Sequence, residues 1–261
     1  MQQNLHALSH SISLQMKLSI ARPMFQFVIW ISPLFYATIT YLIYGGQSPE
    51  KIFQYVVLGS GFMGLWTSIV FSSASDVNRE RMYGTLENIF VAPVDFAYIL
   101  MGKIIGNTIW GLLSMVLSFI YLTVVFQIEL PTIRPLLLVL GLIFVVIGIS
   151  IFAFVMALTF TLSRHAVDIM NVVEYPIFLI CGFLFPLTIL PNWVQAISYA
   201  LPPTWAISLL RTVTNATSSY TEIFVAFSGL VVISIVYLVI ALLSYRAVDK
   251  KARVDGKLGV Y

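Results

Sequence analysis

Six stretches of this chain each offer about 20 apolar residues or more, the length an α-helix needs to cross the hydrocarbon core of a bilayer. They cover 24–44, 52–73, 104–126, 135–162, 169–190 and 223–245. Barrel strands would be about half as long and would alternate. Of 261 residues, 59% are hydrophobic and 10% charged, against roughly 25% charged in a soluble domain. So much apolar surface cannot be hidden in one water-soluble core, so lipid must be the solvent. The predicted fold is an all-α integral membrane protein with six transmembrane helices. It forms a single domain over 1–261, made of an N-terminal helix (1–22), a six-span bundle (24–245) and a basic tail (246–261).

The few charges set an orientation, because Lys and Arg are enriched in cytoplasmic loops. With both termini inside, 11 of the 14 basic residues fall on the cytoplasmic side and only Lys51, Arg134 and Arg211 fall outside. Lys250, Lys251, Arg253 and Lys257 make the tail a patch for anionic lipid. A net charge of +3 is too small and too scattered to suggest a nucleic-acid partner. The lone cysteine, Cys181, excludes an internal disulfide and a Cys-based metal cluster. It reads as a small buried hydrophobe. The N-terminus shows no basic n-region or small-residue cleavage site, so no removable signal peptide is expected.

Two segments depart from the spans. Leu5, Leu8, Ile12, Met16 and Ile20 recur at helical spacing, with His6, His10, Ser13 and Lys17 on the other side, and Pro23 ends the pattern. This predicts an amphipathic helix lying on the inner leaflet. The segment 191–211 carries Pro191, Pro202 and Pro203 with Trp193, Tyr199 and Trp205 between them. It is too polar for a seventh span and predicts short helices at the outer headgroup level.

Between the second and third spans lies a charged island, Arg79-Glu80-Arg81-Met82-Tyr83-Gly84-Thr85-Leu86-Glu87-Asn88-Ile89-Phe90-Val91-Ala92-Pro93. Gly84 interrupts the helix continuing from the second span. Thr85 caps a new one, and Glu87 suits its positive dipole end. Leu86, Ile89 and Phe90 share one face, and Pro93 stops the helix. So short a helix is not stable alone and needs something to bury its apolar face. On residue types alone this is either a docking element or a solvated loop resting on lipid.

The island resembles the cytoplasmic loop between the second and third spans of ABC-2 type transporter permeases, especially the daunorubicin-resistance branch. Arg79, Glu80, Arg81, Gly84, Thr85, Leu86, Glu87 and Pro93 match the pattern, and Met82 departs from it where an acid is common. Gly182-Phe183-Leu184-Phe185-Pro186, Leu190-Pro191-Asn192-Trp193, Pro202 or Pro203, and Arg211 are similar to the family's segment between the fifth and sixth spans. The resemblance implies a permease of the bacterial cytoplasmic membrane with both termini inside. It would pair with a second permease chain, identical or homologous, and with two copies of a soluble ATPase. The chain has no G-x-x-x-x-G-K-[ST] loop, so ATP and Mg would be bound by that partner and no cofactor by this chain. Leu86, Ile89 and Phe90 would sit in a groove on the ATPase, with polar contacts from Glu80 and Glu87.

Glu174 is the only acid well inside an apolar run. It lines the pathway or, on the favoured reading, sits at the inner boundary beside Arg164 or Lys103. His6 and His10 have the four-residue spacing of helical metal ligands without a third ligand nearby, and read as a solvated face. His165 and Asp168 read as partners of Arg164. Gly61 with Gly64, and Gly102 with Gly106, predict close helix packing. A secondary transporter would show several intramembrane ionisable groups. An intramembrane hydrolase would need a nucleophile with a base, or a metal set. Neither pattern is present. The aromatic content and short outer loops suit an amphipathic cargo (a drug, an antibiotic or a peptide), with lipid-linked polysaccharide as the runner-up.

Overall fold

The computed structural model describes residues 2–91, 94–128, 134–161 and 166–255. Among them the chain is helical, with five helices long and apolar enough to cross a membrane. We label the helices α1 (Gln2–Ile20), α2 (Pro23–Tyr44), α3 (Pro49–Met82), α4 (Leu86–Val91), α5 (Phe96–Val125), α6 (Pro135–Thr161), α7 (Ala166–Ile180), α8 (Asn192–Tyr199), α9 (Pro202–Thr214) and α10 (Tyr220–Asp255). These five are α2, α3, α5, α6 and α10.

The centre of the bundle is α3. Its most apolar 18-residue window is fully buried by the rest of the chain, whereas that of α10 is only 17% buried. Small residues allow this enclosure. A side chain at Gly59 would meet the Phe183 carbonyl oxygen at 2.5 Å, and one at Gly64 would meet Ser114 Oγ of α5 at 2.4 Å. On the other flank α6 packs against α3, α9 and α10. The last helix opens with a capping box, in which Ser219 N donates to Glu222 Oε2 (3.0 Å) and Glu222 N to Ser219 Oγ (3.2 Å).

Expectation and structure differ at the fifth predicted span. In place of a continuous helix over 169–190, α7 has 15 residues, about 22 Å at 1.5 Å per residue, and non-helical chain follows it from Cys181. Gly182 adopts φ 76°. Phe183 N donates back to the Phe178 carbonyl and Gly182 N to that of Leu179, a Schellman closure that ends the helix. The chain then turns inward, burying Phe183 completely edge-on to Phe62 and Trp66. Cys181, as expected, is buried. The short helices predicted over 191–211 are α8 and α9. Arg211 locks α9 to the bundle, donating through Nε to the Gln54 carbonyl (3.2 Å) and through Nη2 to the Phe183 carbonyl (3.0 Å). Its guanidinium lies 4.3 Å from the Tyr55 ring centroid.

The N-terminal helix also differs from a helix lying on lipid alone. α1 packs along α5, where Gly102 and Gly106 leave room for it. A side chain at Gly102 would meet Ser11 Cβ at 2.5 Å, and one at Gly106 would meet Gln15 Cβ at 3.0 Å. The predicted close approach at these glycines is therefore made to α1. Of the apolar stripe, Leu8, Ile12 and Met16 are half-buried and Ile20 is exposed, while the side chain of Leu5 lies outside the described residues. Among the described side chains of α1 the most deeply buried are polar, Gln15 and Ser19.

Candidate functional site

The charged island forms where α3 ends. Gly84, at φ 67°, closes α3 with a second Schellman turn: Thr85 N donates to the Glu80 carbonyl (2.9 Å) and Gly84 N to that of Arg81 (3.0 Å). α4 follows at once, and Ile89 N donates to the Thr85 carbonyl (3.1 Å). With 34 residues, α3 is about 51 Å long, well beyond a ~30 Å core, and the island begins in its last turn.

The island's described charges, Arg79, Glu80 and Arg81, point into the permease. Arg79 Nη2 pairs with Asp76 Oδ1 at 2.7 Å. Glu80 pairs with Lys103 of α5 and accepts the Thr85 hydroxyl. Arg81, only 9% exposed, donates to the Thr161 carbonyl at the end of α6. Thr85 thus turns its hydroxyl back to Glu80 rather than onto α4. Leu86 is 1% exposed and belongs to the main core, with Ile89 packed against that core. The apolar face of α4 therefore finds part of its burial within this chain. What the island leaves open is Met82 (70% exposed), Tyr83 (73%), Gly84 and Asn88. The backbone of α4 includes Glu87 and Phe90, whose side chains lie outside the described residues, as does Pro93.

Three residues before the island, Asp76 is 3% exposed and saturated with donors. Its Oδ1 receives Arg22 Nη1 and Arg79 Nη2, each at 2.7 Å. Its Oδ2 receives the side-chain amides of Gln15 and of Asn107. Asn107 Nδ2 also donates to Ser73 Oγ (3.2 Å), and Asn107 Oδ1 accepts Gln15 Nε2 (2.9 Å). A carboxylate with several charged or amide donors is among the stronger polar nodes a protein builds. Sequence reasoning missed it. The available signal was a run of small polar residues, 72–78, at the end of an apolar span, together with polar Gln15 and Asn107 in otherwise apolar patterns.

Glu174 is half-buried on α7, and its Oε1 accepts the Thr67 hydroxyl of α3 at 2.8 Å. Thr67 opens a wider π-helical turn, Thr67–Phe71, of the kind that re-aims side chains. The basic partner expected for Glu174 is not Lys103, which pairs with Glu80; Arg164 lies outside the described residues, as do His165 and the side chain of Asp168. His6 and His10 are exposed on α1. No group of three or more metal-binding side chains occurs among the described residues.

A model of the ABC-2 type transporter family matches residues 8–215. The chain belongs to that family. The match runs from α1 through α9 and takes in the island, Asp76 and the turn at Gly182. No curated protein matches the chain significantly. An ABC-2 chain is the membrane subunit of an ABC transporter, and its energy comes from ATP through a partner ATP-binding subunit. This ABC-2 permease uses its Gly102-Lys103 pair structurally, Gly102 beneath α1 and Lys103 on Glu80.

Proposed function

We propose that this ABC-2 permease forms one half of the membrane pathway of an exporter in the daunorubicin-resistance-like branch, moving an amphipathic small molecule, drug or peptide out across the bacterial cytoplasmic membrane. Both termini and the island face the cytoplasm. A soluble ATPase binds ATP and Mg, and two copies of it dock on two permease chains. The chain has no phosphate loop of its own, which supports a separate ATPase. Residues 79–91 form the coupling element.

The observation that carries this reading is the division of labour in the island. Arg79, Glu80, Arg81 and Leu86 tie it rigidly to α3, α5 and α6, while Met82 and Tyr83 stand open at its tip. A large aromatic and a flexible thioether are poor solvated residues and good docking ones. The motif residues thus shape the element, and Met82, Tyr83, Asn88 and Phe90 meet the ATPase. Closure of the ATPase pair pushes on this tip and tilts α3. Glu174, bonded to Thr67 of α3, lies where that tilt would alter the α3–α7 contact, and is the pathway candidate.

Burial of one apolar side chain is worth about 1.5–3 kcal/mol, and 1.4 kcal/mol is tenfold in affinity. Tyr83→Asp and Met82→Asp should therefore weaken ATPase binding about tenfold or more, at normal membrane abundance. Wild-type co-purification of the ATPase with both variants would remove the island from the coupling role.

A further inference from the structure

We propose that Asp76 is the positioning residue that makes the N-terminal helix a moving part of the coupling machinery. The inference rests on the reading of residues 79–91 as the ATPase-driven element. Four donors from four places in the chain converge on this carboxylate: Gln15 from the middle of α1, Arg22 from the corner between α1 and α2, Arg79 from the island, and Asn107 from α5. Asp76 itself lies on α3, three residues before the island. One buried side chain therefore joins the helix that would be pushed to the helix that precedes the first span.

Polar directionality is what makes this a joint. Apolar helix faces can slide over one another with small changes in contact area, whereas hydrogen bonds weaken steeply with misalignment. The α1–α5 contact at Gly102 and Gly106 holds α1 in place at rest but does not tie it to α3. The Gln15–Asp76–Asn107 triangle does, since both oxygens of the carboxylate are occupied and both amides are shared. Leucines at these positions would keep α1 against α5 at rest but would transmit no displacement of α3 to it. Replacing buried ionic groups by apolar ones is often neutral for stability, so the cluster is better explained by the connection it makes between helices. A displacement of α3 at Asp76 is then passed to α1 in both push and pull, and through Arg22 to the start of α2.

The test uses the permease purified with its ATPase in lipid nanodiscs, in a Cys181→Ala background, with pairs of spin labels at Lys17 on α1, Asn78 on α3 and Phe224 on α10. ATP with vanadate traps the closed ATPase. In the parent, the 17–224 and 78–224 distances should shift together and the 17–78 distance should hold. In Asp76→Asn, the 78–224 shift should remain and the 17–224 shift should be lost, although the resting 17–78 distance is unchanged because glycine packing still holds α1. Arg22→Gln, which unties only the α1 corner, should reduce the 17–224 shift and serves as the readout where Asp76→Asn fails to reach the membrane. Persistence of the 17–224 shift in the variant overturns the proposal. So does a resting 17–78 distance already changed without ATP, which would assign Asp76 to structure alone. A parent whose 78–224 distance does not respond to trapping overturns the coupling role of the island itself, so the two failures are told apart by which pair moves.

Discussion

At the scale of single residues, the island separates side chains that build it from side chains that it presents. Leu86 is 1% exposed in the permease's own core, so Leu86→Asp would bury an unpaired charge and should cost several kcal/mol. Its signature is low membrane abundance and a lowered melting temperature in detergent, without any ATPase present. Tyr83→Asp should leave both unchanged, because Tyr83 is 73% exposed. Gly84 has open space around its missing side chain but a φ of 67°. Gly84→Ala should therefore cost about 1–2 kcal/mol through backbone strain alone, and Gly84→Asn less, since Asn tolerates that region. A melting series over these variants checks the order. Arg211 makes two hydrogen bonds to carbonyls of α3 and the 181–186 turn. Arg211→Met should release α9 at a cost of about 1.5–3 kcal/mol per charged hydrogen bond, read as increased proteolysis within 187–215.

At the scale of elements, the α1–α5 contact decides what the N-terminal helix is. Pure lipid attachment would make α1 indifferent to the shape of α5. The observed contact makes it depend on two glycines: a side chain at Gly102 would meet Ser11 Cβ at 2.5 Å and the Leu8 carbonyl oxygen at 3.1 Å. Gly102→Leu and Gly106→Leu should each push α1 away, read as faster proteolysis within 2–20 than in the parent. Parent-like protection in both variants would mean that the polar cluster, not the glycine pair, sets the spacing. The same element scale explains the broken fifth span. Gly182 and Pro186 flank a turn that buries Phe183 beneath Trp66 and Phe62, which an uninterrupted helix would carry away from that pocket.

At the scale of the molecule, one chain supplies one island and one central helix, α3, enclosed by its own neighbours. A pathway shared by two such chains predicts two permeases and two ATPases in the purified complex, measurable by mass in mild detergent. A transport-active complex with a single permease would contradict it. The charge asymmetry predicts the orientation: a cysteine at 82 should be labelled from the cytoplasmic side of sealed vesicles and one at 205 from the opposite side. Labelling of both from one side would rule out the six-span, both-ends-inside scheme. It would not touch the helical bundle, whose packing does not depend on which face is cytoplasmic.

Run length and residue type are local properties, and what depends on them could be read from the chain alone. The apolar runs and scarce charges determined a helical membrane protein. The boundaries at Pro23 and Gly84 followed from backbone chemistry that acts within a few residues, and the island's residue pattern led to the ABC-2 family. Tertiary structure decided everything that depends on which face meets which neighbour. A one-turn apolar face announces that Leu86 must be buried, but not whether in a partner or, as found, in its own bundle. Amphipathic spacing announces a lipid-seeking helix, yet α1 hides Gln15 and Ser19 instead, because their partners Asp76 and Asn107 arrive from 61 and 92 residues away from Gln15. The value of a buried polar side chain lies in the donors that converge on it, and convergence is set by packing rather than by sequence neighbours.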